Sequence, residues 1–237
     1  QSHNVAVGFY AGREITTGNE NTLIGSEAGD ALTTGIENTV LGYQALSAAQ
    51  TSHANVAIGH QSLALQSADG YTFNTAVGYN SGQQVTSGSQ QVLIGAYAGD
   101  ALTTGAQNVA IGYKALTGED TGNKNIAIGT NALEALNYNG DGHNIAIGHD
   151  AGKSVTTGVQ NTIIGGFAGD ALTTGSFNTA VGYTALSSED GDGGNTAIGF
   201  AALQAQNAGQ TAYNVAVGHA GGLVLSTSVQ NTLVGAF

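Results

Sequence analysis

The chain has 237 residues, of which 38 are glycine and none is proline or cysteine; only 8% are charged, and the net charge is −12. Its four cationic side chains, Arg13, Lys114, Lys124 and Lys153, cannot neutralise a phosphate backbone or an anionic headgroup layer, which excludes nucleic acid and acidic membrane surfaces as partners. Absence of cysteine removes disulfides, thiolate metal sites and cysteine nucleophiles, and no apolar run is long enough to span a bilayer.

In chain order, a pentad of Asn, a β-branched residue, a small or aliphatic residue, Val/Ile/Leu and Gly opens at Asn4 and returns at Asn21, Asn38 and Asn55. It opens again at Asn74, then at Gln91 (the one substitution), Asn108 and Asn125; at Asn144, Asn161, Asn178 and Asn195; and at Asn214 and Asn231. Three steps of 17 residues and one of 19 make a 70-residue super-repeat, so the boundaries fall at 4–73, 74–143 and 144–213, with a partial fourth over 214–237. A short fixed period is the mark of a solenoid. The expectation is an all-β parallel β-solenoid of about 14 turns, running as one array over 1–237. The chain opens on Gln1 without a methionine and stops mid-repeat, which reads as a segment of a longer protein.

The second pentad position is always β-branched and the fourth always aliphatic, which predicts a strand. Side chains alternate along a strand, so positions two and four share one face and position three takes the other. Three apolar positions in a row predict cover on both faces. One coil interior covers a single face. The small-residue column of Ala6, Ala57, Ala76, Ala110 and Ala127 is therefore expected to meet a symmetric partner chain, most simply about a threefold axis. The fifth-position glycines, such as Gly8, Gly78, Gly148 and Gly218, mark a positive φ or a close backbone approach. The leading residues, such as Asn4, Asn74, Asn144 and Asn214, are expected to form a side-chain ladder that Gln91 can still join. Beyond the glycine, two units of each super-repeat continue with Ala-Gly (Ala11-Gly12, Ala28-Gly29) and two with Ala-Leu or Ser-Leu (Ala45-Leu46, Ser62-Leu63). These segments predict a second strand closed by a glycine turn.

Laid out as NTAVGY-x-AL and NTLIG-x-x-AG, the chain resembles the head of trimeric autotransporter adhesins, the YadA-like left-handed parallel β-roll. Similar repeats occur in phage tail-fibre proteins that carry a C-terminal self-cleaving chaperone. The resemblance covers all fourteen turns and implies a left-handed roll, trimerisation, an extracellular, cell-surface or virion location, and adhesion. It carries over no binding residues. The units here are longer than those of the best-known heads, and the 70-residue super-period is an added regularity.

No nucleophile, base and orienting group gather at a catalytic spacing, so no enzyme, cofactor or metal is expected. His60, His149 and His219 follow the pentad glycine and read as corner residues of a variable column. The acids Glu119-Asp120, Glu189-Asp190 with Asp192, and Asp141 lack the fixed spacing of calcium-binding rolls and read as solvated loops. The longer fourth units carry Tyr71, Phe73, Tyr138, His143 and Tyr213, either folded back over the core or displayed to a cell-surface glycan or protein receptor. The reading is a structural and adhesive segment of an extracellular homotrimeric fibre. Its rivals are a self-assembling extracellular filament or matrix subunit and, ranked lowest, an ice-binding solenoid.

Overall fold

The structure, a computed structural model, describes residues 3–236. It is a parallel β-solenoid of about 14 turns, with no helix among the described residues. Phe237, at the end of the last partial repeat, lies outside them. The chain divides into two compact units, one up to Gly122 and one from Asn123 on.

In the first unit the pentads form strands Val5–Val7, Thr22–Ile24, Thr39–Leu41, Val56–Ile58, Thr75–Val77, Val92–Ile94 and Val109–Ile111. The second holds Ile126–Ile128, Ile145–Ile147, Thr162–Ile164, Thr179–Val181, Thr196–Ile198, Val215–Val217 and Thr232–Val234. Within each unit every strand pairs in parallel with the next, like position on like position. The longer fourth turns leave that register intact: Val56 faces Thr75, Ile126 faces Ile145 and Thr196 faces Val215. The two extra residues are absorbed in the loops.

The face assignment is the reverse of the expected one. Position three points into the coil: Ala57, Ala76, Ala110, Ala127 and their equivalents Leu23, Val40, Leu93 and Ile163 are wholly buried within one chain. Ala6, in the first described turn, is exposed. Positions two and four point outward; the fourth is exposed at Ile24 (38%), Leu41 (47%), Ile94 (37%), Ile147 (36%) and Ile198 (38%) and half-buried at Ile58, Ile111, Ile128 and Ile164. The inner column holds alanine in most turns and Leu23, Val40, Leu93 or Ile163 in others, so residue size alone does not select the face.

The expected second strand does not form. Residues after the glycine run as turns, whose backbone groups still bond the next coil, as in Gly12 N–H to Ala28 O (3.0 Å), Glu14 N–H to Asp30 O (3.1 Å) and Thr16 N–H to Thr33 O (2.9 Å). Left-handed residues interrupt any extended run there. Tyr10, Glu27, Gln44 and Gln61 have φ between 52° and 59°, and the ninth position of each turn is left-handed as well. Among the described residues, only Ser52–His53 and Gly70–Tyr71 pair as strands outside the main column.

That ninth position accounts for the super-repeat. It is filled by buried leucine (Leu46, Leu63, Leu116, Leu133, Leu186, Leu203) or by glycine, at nearly the same φ. The glycines sit beside the turns whose inner strand residue is large. A Cβ on Gly99 would lie 2.8 Å from both Leu93 Cδ2 and Leu102 Cδ1, and one on Gly82 would lie 2.6 Å from Leu93 Cδ1. Where a turn and the one after it both carry alanine, as with Ala127 and Ala146 or Ala197 and Ala216, leucine fills the space instead. Large residues in the two columns thereby avoid one another. Gly99→Leu and Leu93→Ala are each expected to cost about 2–3 kcal/mol. The double variant should cost at least ~1 kcal/mol less than their sum, which a double-mutant cycle by urea unfolding would read.

Candidate functional site

Two columns hold the turns in register. Asn161, wholly buried, is typical: its Nδ2 donates to Gly175 O (2.9 Å) and to Asn144 Oδ1 (3.2 Å), and its Oδ1 accepts from Asn178 N–H (2.9 Å). Asn4, Asn144 and Asn214 donate in the same way to Gly18, Gly158 and Ser228 carbonyls, and Asn74 to Gly88 and to Gln66 Oε1. Gln91 keeps the ladder: its N–H donates to Asn74 Oδ1 (3.0 Å), its Oε1 accepts from Asn108 N–H (3.1 Å), and its Nε2 donates to Gly105 O. Most buried carboxamides are thereby satisfied without water, whereas Asn195 Nδ2, Gln66 Nε2 and Gln206 Nε2 have no partner. The pentad glycines stack carbonyl against Cα. A Cβ on Gly8, Gly78, Gly148 or Gly218 would fall 2.2–2.5 Å from the next glycine's oxygen, at φ between 138° and 143°.

Position six carries a ring column that the sequence reading missed. Tyr43, His60, Tyr79, Tyr97 and Tyr113 touch in succession at centroid separations of 5.3, 4.9, 5.4 and 6.2 Å. His149, Phe167, Tyr183, Phe200 and His219 do so at 5.2, 5.8, 5.9 and 5.0 Å. The signal was present: Tyr97 and Phe167, at position seven, follow Ala96 and Gly166 and bridge turns that have no ring at position six. Desolvation, then the neighbouring Tyr79 and Tyr113, raise the Tyr97 hydroxyl pKa above its ordinary value. A glutamine ladder runs alongside, with Gln44 donating to Glu27 (2.7 Å), Gln61 to Gln44 (2.8 Å) and Gln83 to Gln61 (2.9 Å).

The five loop candidates do not form one site. Tyr71 stacks on Phe73 (5.4 Å) and meets His53 edge-on (5.0 Å). Tyr138 is half-buried, under Gly140. His143 is exposed, its Nε2 3.9 Å from Asp141 Oδ2, whose carboxyl is held below its ordinary pKa by the Lys124 hydrogen bond. Tyr213 is exposed and borders a cleft with Phe177.

Three of the acids read as solvated are inside the coil. Glu119, Glu189 and Asp192 are wholly buried, whereas Asp141 and Asp190 are exposed. Glu119 and Glu189 occupy the twelfth position, where other turns place Leu32, Leu102, Leu136 and Leu172. They turn inward because the loop's own N–H groups meet them: Gly122 N–H donates to Glu119 Oε1 and Asp192 N–H to Glu189 Oε1, each at 2.7 Å. Glu189 Oε2 and Asp192 Oδ1 have no partner, and burial, with Asp192 and Asp190 beside it, pushes the Glu189 pKa up to about 8. Among the described residues no three His, Asp or Glu side chains converge to hold a metal ion, and no helix is long and apolar enough to cross a membrane.

Fold and columns together define the class, a parallel β-solenoid repeat protein built on an asparagine ladder and a glycine column. Comparison with protein-family models, curated proteins and solved structures finds no match to this chain.

Proposed function

We propose that the chain is a structural and adhesive segment of an extracellular homotrimeric fibre, of the kind used in adhesin heads and phage tail fibres, acting by spacing and surface attachment without catalysis. The observation that carries it is the outward aliphatic stripe at position four, flanked at position two by Val, Ile or Thr. Seven turns at a strand spacing of about 4.8 Å give each unit a stripe roughly 30 Å long. Monomers rarely leave so continuous an apolar strip open to water. A lateral stripe, repeated identically on each copy, favours closed association about an axis parallel to the strand stack. The filament reading rests on strand edges at the ends of the array and leaves the stripe uncovered. Lack of cysteine suits an exported fibre.

Light scattering at several dilutions should return a mass near three chains. Ile147→Lys with Ile198→Lys, two outward positions of the second unit, should reduce it to one chain while the circular dichroism stays β-type. A wild-type mass of one chain at every concentration would remove the fibre reading.

A further inference from the structure

The internal repeat supplies its own comparison at the third acidic loop. Gly191 stands where the two earlier super-repeats have Thr51 and Thr121, and Gly193 where they have His53 and Asn123. In the first super-repeat that space is occupied: His53 Nδ1 accepts from Ile36 N–H (3.1 Å), and its ring packs against Tyr71. In the second, Asn123 Nδ2 donates to Asp141 Oδ1 (3.3 Å), and Lys124 pairs with the same carboxylate. In the third, Gly193 packs against Ser176, where a Cβ would lie 2.6 Å from its O, and with no side chain on Gly191 a cleft of about 260 Å³ lies between Phe177 and Tyr213.

We propose that this cleft binds a single neutral pyranose unit of a glycan. The assignment rests on the adhesive reading above and gives it a ligand class. Phe177 and Tyr213, 64% and 61% exposed, offer apolar ring surface to the C–H face of a sugar. Thr174 and Thr211 line the same space with their hydroxyl-bearing side chains, beside Ser176, whose hydroxyl accepts from Val159 N–H (3.0 Å). Gly191, where a Cβ would meet only Thr174 Oγ1 at 3.4 Å, lets a ligand approach the backbone closely. At about 260 Å³ the cleft falls just below the ~300–1,000 Å³ of drug-sized pockets, which suits one ring and not an oligosaccharide. Charge narrows the class further. No Lys or Arg follows Lys153, and exposed Asp190 adjoins Gly191, so sulfated, phosphorylated and sialylated sugars are repelled.

The walls are held in advance. Asp192, between the two glycines, donates its N–H to Glu189, accepts Asn178 Nδ2 on its carbonyl (3.0 Å) and accepts Ala208 N–H on Oδ2. Gly194 has φ 74°, and a Cβ there would lie 2.7 Å from the Tyr213 ring, so the ring's seat depends on glycine. Such preorganisation lowers the ordering cost of binding. Three copies on one fibre would add avidity to a weak single site.

The test is titration of the assembled chain with methyl glucoside, methyl galactoside, methyl mannoside and N-acetylglucosamine, read by saturation-transfer NMR, with choline and sialic acid run in parallel. At least one neutral sugar should bind. Tyr213→Ala should weaken it at least tenfold, and so should Gly191→Thr, which restores the residue of the earlier super-repeats and brings a Cβ only to 3.4 Å from Thr174 Oγ1. Both variants should keep the wild-type mass in light scattering. No neutral-sugar signal from an intact trimer, a signal that survives both variants, or binding of choline or sialic acid in place of a neutral sugar would each overturn the cleft assignment. Sugar binding by a monomer would instead leave the cleft standing and remove the fibre.

Discussion

Gly182→Ala is expected to destabilise the second unit by about 4 kcal/mol or more, enough to abolish its cooperative unfolding at room temperature. Gly182 has φ 141°, outside the range of L side chains, and a Cβ there would sit 2.2 Å from Gly199 O. Relief by separating the turns would stretch Gly182 N–H to Ile164 O and Gly199 N–H to Val181 O, both 2.8 Å. Each turn of a solenoid is stabilised by its neighbours, so a break in one lowers cooperativity in those around it. Gly209→Ala is the control. Its φ is also positive, at 69°, but nothing lies within 4 Å of a Cβ, and the expected cost is about 1 kcal/mol. Urea unfolding followed by circular dichroism separates the two, and equal costs would refute the role given to the column.

Stability should fall as pH rises from about 4.5 to about 8, and Glu189→Gln should remove much of that fall. Glu189 has a folded pKa of about 8 against an ordinary 4.5, so between these values the folded state holds a proton that the unfolded chain has released. Unfolding therefore becomes easier with each pH unit across this window, with the full effect reached above pH 8 and none present below 4.5. A shift of this size corresponds to at most about 5 kcal/mol. Asp30, Asp100 and Asp170, one column raised by burial, act in the same direction, which is why the glutamine variant is needed to isolate Glu189. Thermal unfolding between pH 4 and 9 provides the measurement. Parallel curves for wild type and variant would mean that Glu189 is ionised or solvated in the folded chain.

The repeat, the strand positions and the parallel register follow from the sequence alone, because a fixed 17-residue step places carboxamide on carboxamide for the ladder and Gly on Gly for the close approach. All β-branched second positions and aliphatic fourth positions mark the same strand in every turn. Which face of that strand lies inside was not legible: both are apolar, and hydropathy does not separate Ala110 from Ile111. Tertiary packing decided it, since the inner residue must fit against leucine or glycine at the ninth position, as Ala110 does beside Leu116 and Leu93 beside Gly99. The buried acids were hidden for a related reason. Glu189 and Asp192 look like loop carboxylates by type, and only the coiling of the chain brings loop N–H groups and the core column to meet them. The cleft beside Tyr213 lies where Gly191 carries no side chain, and a missing side chain gains meaning only when three-dimensional structure shows what would have filled the space.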